Sequence, residues 1–179
     1  YDYAHKYYLS AAYRRDGTSR FLKRWGNFWT VGAAWRISAE SFMSGASNWL
    51  NDLKLRASYG TQGNEDILVG DDSYSAYTPY VDQYTVSWTG SELAYTPSFF
   101  GNPDLTWEKQ KTVDVGLDFR FLDRIYGSVE YFYRKTDDML FKRPLPESTA
   151  GRSYNWENIG AMSNNGVEFE VNVDILKKH

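Results

Sequence analysis

The stretch Thr112-Val113-Asp114-Val115-Gly116-Leu117-Asp118-Phe119-Arg120-Phe121 decides the fold. Its odd positions are all apolar, and its even positions are polar or glycine. That two-residue period is the mark of a strand with one apolar face. After Leu122-Asp123-Arg124, a second run sets Ile125, Val129, Tyr131 and Tyr133 against Ser128, Glu130 and Arg134, with Tyr126 and Phe132 blurring its polar side. So short a connection between two alternating runs predicts a tight antiparallel turn.

The same period recurs along the rest of the chain. Tyr7, Leu9, Ala11 and Tyr13 oppose Lys6, Tyr8, Ser10 and Arg14. Trp29, Val31, Ala33, Trp35 and Ile37 oppose Thr30, Gly32 and Arg36, and Leu53, Leu55, Ala57 and Tyr59 oppose Lys54, Arg56 and Ser58. Near the end, Val167, Phe169, Val171, Val173 and Ile175 oppose Glu168, Glu170, Asn172 and Asp174. About six strands are predicted. Ala39 to Met43 is expected to make a helical turn capped by Ser38. Asn165-Gly166 fits a hairpin turn or a bulge within one long last strand, the bulge being preferred.

Alternation alone suits a soluble sandwich, whose polar faces meet water, and equally a membrane barrel, whose apolar faces meet lipid. The connections favour the barrel. Leu122-Asp123-Arg124 is tight, whereas Asp16 to Asn27, Thr61 to Trp107 and Thr136 to Glu157 are longer and rich in turn-forming residues. Short turns at one end and long loops at the other are the barrel asymmetry, with the tight turn periplasmic and the long loops extracellular. A compact sandwich rarely carries a connection as long as Thr61 to Trp107.

Composition narrows the function. No apolar run approaches the roughly 18 residues of a spanning helix; a mean hydropathy of -0.60 is compatible with strands that show lipid every second side chain. Aromatic residues make up 18% of the 179-residue chain, which suits β-structure, carbohydrate contact or a membrane interface. A net charge of -3 offers no basic footprint, so nucleic acid is not an expected partner. There is no Cys, and the two histidines, His5 and His179, lie at opposite ends, so neither a metal nor a cofactor is expected. Tyr1 and the Leu176-Lys177-Lys178-His179 ending suggest a piece of a longer protein.

Six stretches resemble the SusC/RagA family of TonB-linked outer-membrane proteins. Arg15-Asp16-Gly17-Thr18-Ser19-Arg20-Phe21 resembles that family's R-D-G-S-S-R-F loop, and Trp35-Arg36-Ile37-Ser38 with Glu40, Phe42 and Met43 its W-R-I-S-x-E-x-F-M. Leu53-Lys54-Leu55-Arg56-Ala57-Ser58-Tyr59-Gly60 followed by Gly63-Asn64 is similar to L-K-L-R-A-S-Y-G-x-x-G-N, the most specific match. Asn102-Pro103-Asp104-Leu105-Thr106-Trp107-Glu108, the stretch from Tyr131 to Leu140, and Asn164-Asn165-Gly166-Val167-Glu168 continue the likeness in order.

The resemblance implies an all-β fold: an antiparallel up-and-down transmembrane β-barrel segment, about six strands of a larger plugged barrel with long extracellular loops. Residues 1–179 would belong to one barrel domain, with the plug and signal peptide outside it. It implies a non-enzymatic transporter in the outer membrane of a Gram-negative bacterium, importing oligosaccharides or peptides. The expected partners are outer-membrane lipid, a SusD-like surface lipoprotein acting as lid, a glycan or peptide substrate, and the TonB complex through other parts of the parent. The rival readings are a secreted carbohydrate-binding β-sandwich and a glycosidase fragment.

Candidate site residues are few. Tyr74, Tyr77, Tyr80, Tyr84, Trp88 and Tyr95 lie in the longest loop, where aromatic faces can stack on sugar rings, pack against a lid, or simply hold the loop together. Glu65-Asp66, Asp71-Asp72 and Asp137-Asp138 are adjacent carboxylates of the kind glycoside hydrolysis needs, but their loop contexts favour solvated charges. Asp71 and Asp72 lack the spacing of a calcium loop. On the strand from Val113 to Phe121, the lipid side continues upward through Lys111, Lys109 and Trp107, an order suited to a strand leaving hydrocarbon for headgroups.

Overall fold

The computed structural model describes residues 1–67, 77–146 and 154–175. Its strands are β1 (Asp2–Tyr3), β2 (Tyr7–Gly17), β3 (Trp25–Arg36), β4 (Leu50–Asn64), β5 (Gln83–Thr89), β6 (Glu92–Phe99), β7 (Glu108–Phe121), β8 (Ile125–Asp137), β9 (Leu140–Pro144), β10 (Tyr154–Asn158) and β11 (Ala161–Val173). One antiparallel sheet runs in the order β1-β2-β3-β4-β7-β8-β11, with β5/β6 and β9/β10 as separate hairpins. Each long strand pairs with the next long strand along the chain, an up-and-down meander. All six alternating runs are strands, and most are longer than their alternation suggested.

Register explains why the alternation is so regular. Leu55 on β4 faces Leu117 on β7, which faces Val129 on β8, which faces Phe169 on β11; on the other side Leu55 faces Trp35 on β3, and Trp35 faces Tyr7 on β2. The odd-numbered rows thus form one apolar face across the sheet. Among the described residues no second layer covers it. Val31, Leu55, Val115 and Val129, from four adjacent strands, remain between 39% and 42% exposed, and Phe169 on the last strand reaches 78%.

The turns gather at one end of the sheet. At Leu122-Asp123-Arg124 both Leu122 and Asp123 have positive φ, 52° and 53°, and Arg124 N donates to Phe121 O at 3.0 Å. This is the handedness that matches strand twist in a tight hairpin. The described parts of the connections 18–24, 65–107 and 138–160 gather at the other end, whereas 37–49, longer than 18–24, lies at the turn end beside Leu122.

The core lies at the loop end, where Phe28 of β3 meets residues of the loops. Phe21, Phe28, Ile67, Phe99, Leu105, Trp107 and Trp156 form one buried cluster, with Leu140 and Tyr154 packed on it. Trp107 is therefore not a headgroup-level aromatic: it is 6% exposed, edge-on to Phe21 and Phe28, and its Nε1 donates to Arg24 O at 3.3 Å. The chain has left the strand before Glu108, so the face parity of β7 no longer governs it.

Three further expectations are corrected. The helical turn is two 3-10 turns, Ile37–Ala39 and Ser41–Ala46, without a side-chain cap; Ser38 Oγ donates instead to Asp52 Oδ1 at 2.9 Å. Asn165-Gly166 is neither hairpin nor bulge, because β11 runs through it in regular register, Asn165 facing Tyr133 and Gly166 facing Phe132. The Phe132 ring lies over Gly166, where a Cβ would stand 2.9 Å from Cε1. Two of the long loops are not structureless either, since 65–107 contains the β5/β6 hairpin and 138–160 the β9/β10 pair.

Candidate functional site

On the face opposite the apolar one, charges are paired across strands. Arg56 Nε donates to Asp118 Oδ1 at 3.2 Å and Nη2 to Glu130 Oε2 at 2.5 Å. Glu130 lies two strands away, and Gly116 on the intervening β7 faces both residues. A Cβ at 116 would stand 2.8 Å from Arg56 Cζ, so the bare glycine is what lets the guanidinium cross. The aromatics that blurred the polar side are matched by cations: Arg120 lies 5.1 Å from the Tyr126 ring and Arg134 5.3 Å from that of Phe132. This face suits a water-lined or packed interior.

At the turn end Glu40 ties together β2, the turn that precedes it, and β3. Its Oε1 accepts from Tyr7 OH at 2.6 Å and Trp35 Nε1 at 3.1 Å, and its Oε2 from Lys6 Nζ at 3.0 Å. The Tyr7 hydrogen bond, followed by those of Lys6 and Trp35, holds the carboxyl down at about 2. Arg36 Nε reaches Asp52 Oδ1 at 2.8 Å beside it.

At the loop end, side-chain amides replace missing backbone partners. Asn158 Oδ1 accepts from Thr106 N at 2.9 Å while its Nδ2 donates to Thr106 O at 2.9 Å and Asp138 O at 2.8 Å. Asn102 Nδ2 donates to Trp156 O at 2.9 Å, and its Oδ1 takes Asp104 N at 3.0 Å. Glu108 accepts from Asn64 Nδ2 and Leu140 N. These bonds join the 102–108 stretch to β4, β9 and β10, fastening the loops into a platform above the sheet.

From that platform projects the β5/β6 hairpin. Its pairing sets Val86 opposite Tyr95 and Trp88 opposite Leu93, with Tyr84 opposite Pro97 on the same face; Thr85, Ser87, Thr89, Glu92 and Thr96 take the other. The apolar side is open: Trp88 is 70% exposed, Tyr95 67% and Tyr84 53%. Of the predicted aromatics, these three share a face. Tyr77 is exposed and Tyr80 half-buried, both in the turn before β5, and Tyr74 lies outside the described residues. Val86, Leu93 and Pro97 complete the face and were missed, although Tyr84, Val86 and Trp88 carry the two-residue period.

The candidate carboxylate pairs have cationic partners. Asp137 holds Lys111 at 3.1 Å and Lys135 at 2.8 Å, Asp138 holds Lys109 at 3.4 Å, and Glu65 faces Arg20 at 3.9 Å. Each of these carboxylates is engaged by a cation of a strand or loop beside it. Asp71, Asp72 and His179 lie outside the described residues. Among the described residues no group of three or more metal-ligating side chains gathers, and His5 Nδ1 is paired with Asp2 Oδ2 at 2.7 Å.

Comparison with known proteins agrees with this geometry. A TonB-dependent receptor of Formosa agariphila is 39% identical over 175 residues, covering 96% of this chain and 16% of the relative. The TonB-dependent receptor SusC of Bacteroides thetaiotaomicron is 36% identical over 182 residues, covering 96% of this chain and 17% of SusC. The structure of the RagAB peptide transporter superposes with a TM-score of 0.81 at 32% identity, over 97% of this chain and 18% of that one. The chain thus spans about a sixth of the curated relatives it matches. The family model for the TonB-dependent receptor-like β-barrel matches residues 1–177, and the chain belongs to that family.

Proposed function

We propose that these residues form part of the wall of a plugged barrel in the outer membrane of a Gram-negative bacterium. The parent takes up an oligosaccharide or a peptide, does no chemistry on it, and draws energy from TonB through a plug and contact segment outside this chain. A SusD-like surface lipoprotein serves as its lid. The relatives named above support the class, and the peptide transporter among them supports the peptide reading.

One observation carries this reading: an apolar face that runs unbroken across the sheet and remains open on central strands as well as edges. Soluble proteins rarely leave so large an apolar surface in water. The sandwich alternative requires a second sheet against that face, and the hairpins lie at the loop end instead. The exposed face of β5/β6, with Tyr84, Trp88 and Tyr95, is the contact surface for substrate or lid, together with Tyr74, Tyr77 and Tyr80 near it in sequence.

The test is uptake of labelled oligosaccharides and peptides by intact cells carrying the parent or its Trp88→Ala/Tyr95→Ala variant. Uptake should fall while the surface amount of the protein is unchanged. Parental uptake by the variant would remove the hairpin from the transport path, and absence of uptake by the parent would contradict the importer reading.

A further inference from the structure

Lys109 and Lys111 on β7 and Lys135 on β8 occupy register positions of the apolar face, just beyond Val113 and Tyr133 toward the loop end. Lys111 stands directly opposite Lys135. Like charges in that relation repel. Asp137 lies between them and Asp138 holds Lys109, yet three ammonium groups against two carboxylates leave one positive charge in excess. The three lysine side chains remain 52%, 47% and 42% exposed, so a ligand can reach them.

Their level on the wall says what that ligand is. Tyr59, Tyr131 and Tyr133 share the apolar face immediately below, with Val113 and Val115 among them. A tyrosine row above hydrocarbon marks the headgroup zone, and lysine stems lie along apolar surface while their ammonium groups reach that zone. Lysine binds phosphate as a compact point charge and does not need the planar fork of arginine. On the opposite face the same residues would meet the barrel interior.

We infer that Lys109, Lys111 and Lys135 form a binding site for the phosphate headgroup of a membrane lipid at the loop end of the wall. The inference rests on the reading of the sheet as membrane wall. The phosphate sits over the Lys111–Lys135 pair and screens their repulsion, with Lys109 as a third donor and Asp137 holding the pair in place. Among the described residues no further carboxylate pairs with these three lysines.

The test uses the full-length parent in bilayers of phosphatidylcholine mixed with phosphatidic acid, with lipids that stay bound after extraction counted by native mass spectrometry. The parent should retain phosphatidic acid in preference to phosphatidylcholine. Each Lys→Gln change should weaken that retention by about fivefold, and Lys109→Gln/Lys111→Gln/Lys135→Gln should abolish the preference. Asp137→Asn, which raises the local positive charge, should keep or strengthen it. Unchanged retention by a triple variant that inserts normally overturns the site alone. A parent that never enters the bilayer overturns the wall reading with it. If the triple variant does not insert, Lys109→Gln decides, because its partner Asp138 lies outside the Asp137 pair.

Discussion

Arg56 and Glu130 are separated by a whole strand, yet their side chains meet at 2.5 Å because Gly116, which faces both, has no side chain to stand between them. The glycine thus belongs to the ion pair as much as the two charged residues do. Gly116→Ala should push the guanidinium off both Asp118 and Glu130. The cost should be about 1–2 kcal/mol, since these are charge-assisted bonds between partly exposed groups. A cycle with Arg56→Gln, read from urea midpoints of the bilayer-folded parent, should be clearly non-additive; additive effects would mean that Gly116 serves something else.

Glu40 supplies a pH prediction. Its carboxyl is held at about 2 against an ordinary 4.5. A depressed folded-state value means that its stabilisation is complete above 4.5 and disappears as the pH falls through about 2. Glu40→Gln should therefore lower the urea midpoint at neutral pH, and the gap from the parent should close through that acidic window. A gap that stays constant down to the acid limit would show that the Glu40 charge is immaterial to Lys6, Tyr7 and Trp35.

What was legible beforehand follows from which interactions are local. The strand from Val113 to Phe121 is readable because each face is written in the strand's own alternation. The partnership of Arg56 with Glu130 depends on register across two pairings and leaves no trace in either strand. The β5/β6 hairpin is hard to see in the sequence because Tyr84, Val86 and Trp88 sit in a connection dense with turn formers, where so short a two-residue period does not stand out. Trp107 and Phe21 were visible as motif residues; that they meet in one buried cluster is a property of the folded loops. Ser38 has the right residue type for a cap, but Asp52, brought beside it by β4, competes for its hydroxyl.

Asn158 gives a prediction about the loops alone. Its three bonds to Thr106 and Asp138 tie β10 to the start of β7. Asn158→Ala leaves the Thr106 N–H and two carbonyl oxygens without this partner, a loss of about 1–3 kcal/mol per group left unsatisfied. Protease added to intact cells should then cut the parent faster between Tyr77 and Trp107, with no change in its heat-modifiable gel shift. An unchanged cutting rate would place the platform's strength elsewhere, and cutting only after rupture of the outer membrane would reverse the assigned orientation, unless a lid shields the loop.

The central claim is that the odd-numbered face of the sheet meets lipid and the even-numbered face the barrel interior. Leu117 is the middle of the apolar run from Val113 to Phe121 on the first face, and Asp118 on the second accepts from Arg56 at 3.2 Å. In the full-length parent, Leu117→Arg should cost about 2–4 kcal/mol if its level is the bilayer midplane, while Asp118→Asn should cost much less. The measurement is folding yield into bilayers, read by heat-modifiable gel shift for the parent and the two single variants. The account predicts a sharp loss for Leu117→Arg and near-parental folding for Asp118→Asn; parental folding of Leu117→Arg with collapse of Asp118→Asn would contradict it.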